Sequence, residues 1–201
     1  MEQPGIALPG EARQTGFGGK FKMWIAKPRE KTTNSWIVEQ LKIQPYQHIL
    51  EVGYGFGERL QEVAKKLNAG FVAGIDKSIH HYAQANRKNM KFIASKLMHI
   101  QVGVIEDLSY PAFYFDSIYT GNNYFEWLQP EGKLMQLHAM LKCGGKMLTV
   151  VQVPDIKGEE QVWNKAELIQ EQYMAAGFSD TRFALREIGQ ASVIAVTGYK
   201  E

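Results

Sequence analysis

The sequence predicts an α/β fold in which a mainly parallel sheet is covered by helices on both faces. Apolar runs of strand length alternate along the chain with stretches whose apolar residues recur at helical spacing. The last two apolar runs adjoin a turn near Gly189, which predicts an antiparallel pair. We expect strands at 49–52, 71–75, 99–104, 115–120, 146–153, 181–187 and 192–199, and helices at 32–41, 58–67, 78–95, 131–141 and 164–176.

The chain ahead of the first strand is predicted to contain a flexible arm and one short helix. Residues 1–19 hold five glycines and two prolines and have few periodic apolar positions. Trp36, Ile37 and Leu41 then recur at helical spacing, and Thr32 or Thr33 is available as the N-cap. This pattern predicts an amphipathic helix over 32–41.

Two strand-and-helix units follow. Ile49, Leu50 and Val52 form a compact apolar run, which ends in glycines at 53, 55 and 57. Residues 58–67 then place their apolar side chains on one face, so the first unit is strand, glycine turn and helix. In the second unit, the apolar run at 71–75 ends at Asp76, and a longer helical stretch begins at 78. Near the end of the chain, Gly177 stands where a helix C-terminal glycine is expected.

Length and composition indicate how many domains the chain can form and in which compartment it is expected. With 201 residues and 45% hydrophobic content, the chain can bury the core of one ordinary α/β domain. The 23 basic and 21 acidic residues leave a net charge of +2, which gives no general field for nucleic acid or an anionic membrane. Cys143 has no partner for a disulfide, and the N-terminus lacks the apolar core of a secretory signal. No apolar run reaches about 18 residues, so we expect a cytoplasmic protein that spans no membrane.

The glycine turn is the first candidate ligand site, because ligands of open parallel sheets collect at the carboxyl ends of the strands. Glycine lets a ligand approach the backbone, although a tight structural turn would show the same pattern. A dinucleotide site needs G-x-G-x-x-G, whereas here the third glycine comes one residue early and Glu58 takes the later position. Glu51, just ahead of the turn, favours a cationic ligand group. The spacing therefore argues against a nicotinamide-dependent oxidoreductase and for an aminoacyl sulfonium.

Four segments resemble motifs of one family. Residues 49–57, ILEVGYGFG, resemble the first motif of the class I S-adenosylmethionine-dependent methyltransferases, and residues 72–78, VAGIDKS, resemble the second. Residues 115–119, FDSIY, and 141–145, LKCGG, are similar to the motifs around the family's fourth and fifth strands. The resemblance covers most of the chain. It implies a Rossmann-like, seven-stranded, mostly parallel sheet with S-adenosyl-L-methionine as the cofactor.

The resemblance also implies where the cofactor binds. Asp76 would hold the two ribose hydroxyls through charge-assisted hydrogen bonds, with capping of the next helix as the alternative role. The family's usual carboxylate after the third strand is missing, so adenine would contact the backbone of Val104 and Ile105, or else Glu106 or Asp107. The implied cofactor residues are Glu51, Gly53, Tyr54, Gly55, Gly57, Asp76, Lys77, Val104, Ile105 and Asn122.

Some side chains leave alternatives open. Asn122 is favoured over Asn123 as the contact to the methionyl part of the cofactor. Tyr54 either lines the same cavity or serves packing alone. Cys143 stands where the family has proline, and we expect a small buried residue in a turn rather than a reactive thiol.

No metal site and no dedicated catalytic residue is expected. His80 and His81 are adjacent on a predicted helix and point about 100° apart, so they cannot easily chelate one ion. We interpret them as a solvated or partly packed helix start. The sulfonium is already an activated methyl donor, so orienting the acceptor is the main task of the protein.

The expected enzyme methylates a small molecule. Residues 1–45 are interpreted as an N-terminal arm and helix forming a lid over the active site, and residues 46–201 as the methyltransferase catalytic domain. Within the arm, residues 20–24 interleave lysines with Phe21, Met23 and Trp24, which fits a lid better than an RNA-contacting segment. A nucleic-acid methyltransferase and a non-catalytic S-adenosylmethionine-binding module remain as alternatives. The protein is expected to be a monomer or a homodimer.

Overall fold

Seven strands form one sheet in the computed structural model, which describes residues 33–154, 159–188 and 191–201. The strands are β1 (His48–Val52), β2 (Phe71–Asp76), β3 (Met98–Val102), β4 (Phe115–Thr120), β5 (Leu141–Pro154), β6 (Ser179–Ile188) and β7 (Ala191–Tyr199). Their order across the sheet is β3-β2-β1-β4-β5-β7-β6. The predicted arm, including the segment 20–24, and the turn residue Gly189 lie outside the described residues.

Strand direction makes the sheet mainly parallel. β1 pairs in parallel with β2 on one side and with β4 on the other, and β3 and β5 continue the parallel part. β7 runs antiparallel to both β5 and β6, which confirms the predicted C-terminal pair. The chain builds outward from β1 to β3 and then crosses back to β4. The carboxyl ends of β1, β2 and β4 therefore meet at the point where strand order reverses, which is where open α/β sheets bind ligands.

Helices cover both faces of the sheet, as predicted. α1 (Thr33–Leu41), α2 (Glu58–Ala64) and α3 (Ile79–Ala94) lie on one face, and α4 (Pro130–Met140) and α5 (Glu159–Ala175) lie on the other. Successive strand residues point to opposite faces. Leu50 and Val52 accordingly join the apolar cluster under α4 and α5, whereas Ile49 joins the cluster under α1, α2 and α3. None of these described helices has both the length and the apolar character that a bilayer crossing requires.

Two helices differ from the predicted bounds by more than one residue. α5 begins at Glu159 rather than at 164, because Val162 extends the buried face formed by Ala166, Ile169 and Tyr173. α2 ends at Ala64 rather than at 67. The next residues turn towards β2, and the Asn68 N–H donates to the Pro45 carbonyl at 3.0 Å.

The segment LKCGG is part of β5 and not a turn ahead of it. Phe115 pairs with Leu141 and Ser117 with Lys146, so the residues between Leu141 and Lys146 bulge out of the parallel register. Gly144 has a φ of +76°, and its N–H donates to the Lys200 carbonyl at 2.7 Å. The bulge places Cys143 on the surface, so the expectation of a buried residue there is wrong.

Packing around Gly198 allows a direct test of the α5–β7 contact. A Cβ added at Gly198 would lie 2.6 Å from Tyr173 Cδ2, and the Tyr173 ring is held in place because its hydroxyl lies 2.7 Å from Thr149 Oγ1. Overpacking should make Gly198→Ala about 1–3 kcal/mol less stable to unfolding. Urea unfolding monitored by circular dichroism would measure the change.

Gly132→Ala is the matched control for this substitution. Gly132 lies in α4, and an added Cβ would meet no atom within 4 Å. Because alanine favours a helix over glycine, this variant should be about 0.5–1 kcal/mol more stable than the parent. Equal stability of the two variants would contradict the described packing of Tyr173 on β7.

Candidate functional site

A cavity of about 540 Å³ opens at the carboxyl ends of β1, β2 and β4. Seven of the predicted cofactor residues line it: Gly53, Gly55, Asp76, Lys77, Val104, Ile105 and Asn122. Glu51, Tyr54 and Gly57 lie next to these residues but are not part of the lining. The predicted residues therefore cluster at one cavity, and three of them support its lining without being part of it.

The glycine turn after β1 has a backbone that few other residues would adopt. Gly53, Gly55 and Gly57 have φ values of +77°, +54° and +78°. The Gly53 N–H donates to the Ile75 carbonyl of β2 at 2.7 Å, which holds the turn against the neighbouring strand. An added Cβ on Gly55 would meet no atom within 4 Å, so this stretch of backbone is open to the cavity.

Asp76, at the end of β2, joins the glycine turn to α3. Its carboxylate accepts hydrogen bonds from the Gly55 N–H at 2.8 Å and the Ser78 N–H at 2.9 Å, and lies 3.0 Å from His81 Nδ1. Ser78 is the N-cap of α3, since its hydroxyl accepts from the His81 N–H. Asp76 is thus not the helix cap itself. It is a largely buried carboxylate that lines the cavity.

Glu51 lies beneath the cavity as part of a buried charged cluster. The Arg59 Nε donates to Glu51 Oε1 at 2.6 Å, and the Tyr119 hydroxyl donates to Glu51 Oε2 at 2.7 Å. Burial raises the pKa of the Glu51 carboxyl, and the two donors counter this effect. Burial also disfavours the charged form of Arg59, but the adjacent Glu51 raises the pKa of the guanidinium above its ordinary value. The charged group that reaches the cavity at this point is Arg59.

Two residues of the glycine turn anchor it to its surroundings: Tyr54 to the sheet and Gly57 to α3. The Tyr54 ring is buried against Gly74, where an added Cβ would lie 2.8 Å from its Cδ1, and its hydroxyl donates to the Gln101 carbonyl at 3.1 Å. The Gly57 carbonyl accepts from Asn89 Nδ2 at 3.1 Å. Of the two interpretations of Tyr54, the geometry favours packing.

Both asparagines after β4 line the cavity, and they have different contacts. Asn122 Oδ1 accepts from the Gln152 N–H of β5 at 2.7 Å. Asn123 Oδ1 accepts from the Thr120 hydroxyl at 2.6 Å, and an added Cβ on Gly53 would lie 2.0 Å from Asn123 Nδ2. Asn123 therefore packs directly on the glycine turn, a contact that the sequence did not predict.

Residues 104–107, which the sequence indicates as contacts for adenine, follow β3, and residues 104–106 line one side of the cavity. The Val104 N–H donates to the Asp107 carboxylate at 2.9 Å, and the Ile105 carbonyl accepts from Gln136 Nε2 at 2.9 Å. Glu106 forms an ion pair with Lys133 of α4. The Val104 side chain, about half exposed, presents an apolar surface to the cavity.

Charged and apolar side chains beyond the predicted cofactor residues complete the lining. Glu126, in the segment after β4, forms an exposed ion pair of 3.0 Å with the predicted residue Lys77 at the end of β2. Trp127, Leu128, His81 and Arg59 contribute further surface. The only sequence signal for Arg59 and His81 is their place in the first turns of the helices that follow β1 and β2. Among the described residues, no group of three or more histidine, cysteine or acidic side chains could hold a metal ion.

Comparison with known proteins agrees with this geometry. A methyltransferase-domain family model matches residues 49–145. The uncharacterized methyltransferase YdaC of Bacillus subtilis (strain 168) is 28% identical over 178 residues, which cover 88% of this chain and 96% of that protein.

Two solved structures share the fold. An S-adenosylmethionine-dependent methyltransferase from Aquifex aeolicus superposes with a TM-score of 0.64 at 19% identity, covering 83% of this chain and 88% of that one. Phosphoethanolamine N-methyltransferase 2 of Haemonchus contortus, in complex with S-adenosyl-L-methionine, gives a TM-score of 0.68 at 14% identity over 84% of this chain and 52% of that one. Together, these comparisons show that the chain is similar in sequence to methyltransferases and shares the Rossmann-like fold of S-adenosylmethionine-dependent methyltransferases.

Proposed function

We propose that S-adenosylmethionine binds in the cavity at the ends of β1, β2 and β4 and that the methyl acceptor is a small molecule. Binding of S-adenosylmethionine is supported above all by the Asp76 carboxylate, which lines the cavity and is held by the backbone of the glycine turn. When bound, the cofactor supplies a methyl group on a sulfonium that is already activated for transfer.

The residues present fit this cofactor. Asp76 offers carboxylate oxygens to the two ribose hydroxyls, and hydrogen bonds to a charged acceptor are the strong ones. Gly55 leaves the backbone open for close approach, and Gly53, Asn122 and Lys77 line the cavity near it. The apolar side chain of Val104 and the backbone of Ile105 provide a surface for adenine. Tyr54 and Gly57 serve the site by shaping the turn.

The work of the protein is then to orient the acceptor and to exclude water. Orientation of two reactants can supply about 7–11 kcal/mol of the barrier reduction, which is enough to make a dedicated nucleophile unnecessary. We assign the methionyl part of the cofactor and the acceptor to the polar side chains after β4, Asn122 before Asn123, because both line the cavity.

A small acceptor is favoured by the charges around the mouth. The lysines that line the cavity are each paired with a carboxylate, Lys77 with Glu126 and Lys133 with Glu106. A nucleic-acid methyltransferase needs a continuous positive surface to neutralise phosphates. The described residues that line the cavity instead include both positive and negative groups.

We further propose that residues 1–45 close the acceptor side of the cavity. The described end of this segment already reaches the wall, because Asn34 Oδ1 accepts from Arg59 Nη1 at 3.2 Å. Helix α1 itself is packed firmly, with Trp36 only 2% exposed. The covering part would therefore be the residues ahead of α1.

Isothermal titration calorimetry tests the cofactor site. The protein should bind S-adenosylmethionine and not NAD, since the glycine spacing lacks the pyrophosphate geometry. Asp76→Asn should weaken S-adenosylmethionine binding by about 1.5–3 kcal/mol, or roughly 10–100-fold, because hydrogen bonds to a charged group are lost.

Asp180→Asn is the matched control for Asp76→Asn. Asp180 is an exposed carboxylate on β6 that pairs with Arg182, and its φ of +43° suits asparagine. This variant should bind the cofactor like the parent. Tight binding of NAD without S-adenosylmethionine would refute the assignment, and unchanged affinity of Asp76→Asn would remove Asp76 from the site.

Labelled methyl transfer tests the acceptor class. With S-adenosylmethionine carrying an isotopic methyl group, we expect mass spectrometry to find the label in a metabolite extract and not in total RNA. Activity on the acceptor should depend weakly on salt, because few phosphate contacts are made. Label in nuclease-sensitive material would favour a nucleic-acid acceptor, and cofactor binding with no transfer to any pool would favour a non-catalytic module.

A further inference from the structure

The Arg59 guanidinium forms part of the cavity wall and is fixed by three acceptors. Its Nε donates to Glu51 Oε1 at 2.6 Å, its Nη1 to Asn34 Oδ1 at 3.2 Å, and its Nη2 to the Gly53 carbonyl at 3.1 Å. These partners belong to β1, α1 and the glycine turn. The side chain is 18% exposed, so its orientation is set by the fold.

Part of the donor capacity of Arg59 is still available. A guanidinium has five N–H groups in a planar fork, and the described partners take one on each nitrogen. One N–H on Nη1 and one on Nη2 therefore have no acceptor among the described residues.

Gly121 packs against the face of the Arg59 guanidinium. An added Cβ on Gly121 would lie 3.1 Å from Nη2, 3.2 Å from Nη1 and 3.3 Å from Cζ, so it would press on the group and displace it. Gly121 immediately follows β4, next to Asn122 and Asn123 in the cavity lining. The guanidinium, which also lines the cavity, therefore lies between the glycine turn and the end of β4.

Charge and shape define the group that fits the fork. Glu51, itself held by the Tyr119 hydroxyl, binds the guanidinium from the buried side, which leaves a planar, positively charged group with one further donor on each Nη. A carboxylate matches such a group in a bidentate geometry. The other cavity cations, Lys77 and Lys133, are compact ammonium groups already paired with Glu126 and Glu106 at the rim.

We propose that Arg59 binds the α-carboxylate of the cofactor's methionyl group through its two Nη atoms. Glu51 and Asn34 are then positioning residues that hold the guanidinium in register with the glycine turn. Glu51 contributes to cofactor binding through Arg59 and not by direct contact with a cationic group. This inference rests on the proposed function, in which S-adenosylmethionine occupies this cavity.

Calorimetry with two ligands tests the carboxylate contact in the unmodified protein. The ligands are S-adenosylhomocysteine and its decarboxylated analogue, which keeps the amine and the nucleoside. We expect the protein to bind S-adenosylhomocysteine about 10–100-fold more tightly, the worth of hydrogen bonds between charged groups.

Two variants assign this preference to Arg59. Gly121→Ala presses on the guanidinium face and shifts the group, so it should reduce the preference to a few-fold by weakening only the ligand that carries the carboxylate. The backbone at Gly121 accepts alanine because its φ is not positive. The double variant Glu51→Gln/Arg59→Gln removes both charges together, so no buried charge is left without a partner. It should bind the two ligands equally. Arg182→Gln, on exposed β6, is the control and should keep the full preference.

The outcomes separate this inference from the proposed function. If the unmodified protein binds neither ligand, the cofactor site itself is wrong. If it binds both equally, or if Gly121→Ala keeps the full preference, Arg59 is not the carboxylate receptor and only this inference is overturned. Circular dichroism of each variant shows whether it is folded, and Gly121→Ala decides the question if the double variant is not.

Discussion

The candidate site depends on the close approach of one glycine turn to the ends of the two strands that flank β1. The Gly53 N–H bonds to the β2 backbone, the Gly55 N–H bonds to Asp76, and Asn123 fills the space where a side chain on Gly53 would lie. Each contact needs a positive φ or a missing Cβ, which glycine alone supplies without strain. The cavity therefore exists because this turn lies flat against its neighbours instead of projecting above them.

A buried charged cluster supports the turn from below. Glu51 is fully buried and Arg59 mostly so, and such a pair is tolerated only when hydrogen bonds satisfy the remaining polar atoms. Tyr119, Asn34 and the Gly53 carbonyl provide those bonds. Because breaking a buried pair by removing one partner costs about 3–5 kcal/mol, the cluster joins β1, α1 and α2 into one rigid support. The same arrangement holds a positively charged group in the cavity wall.

Much of the fold could be predicted from the sequence, and the site only in part. The strands were found because buried parallel strands are continuous apolar runs, and the turn was found because its glycines are spaced every second residue. Asp76 was found because it ends such a run. Arg59 was not considered, His81 was interpreted as a helix start and Asn123 was ranked below Asn122, since which side of a helix or loop faces a cavity is decided by tertiary packing. The bulge at LKCGG was missed for a related reason, because its pairing with β4 and with Lys200 joins residues distant in sequence.

The most direct measurement is a crystal structure of the protein with S-adenosylhomocysteine. We expect the ribose hydroxyls to bind the Asp76 carboxylate, adenine to lie beside Val104 and Ile105, and the methionyl carboxylate to bind the Nη atoms of Arg59. A ligand bound elsewhere, or a cleft that stays filled by the protein's own side chains at saturating ligand, would contradict this arrangement.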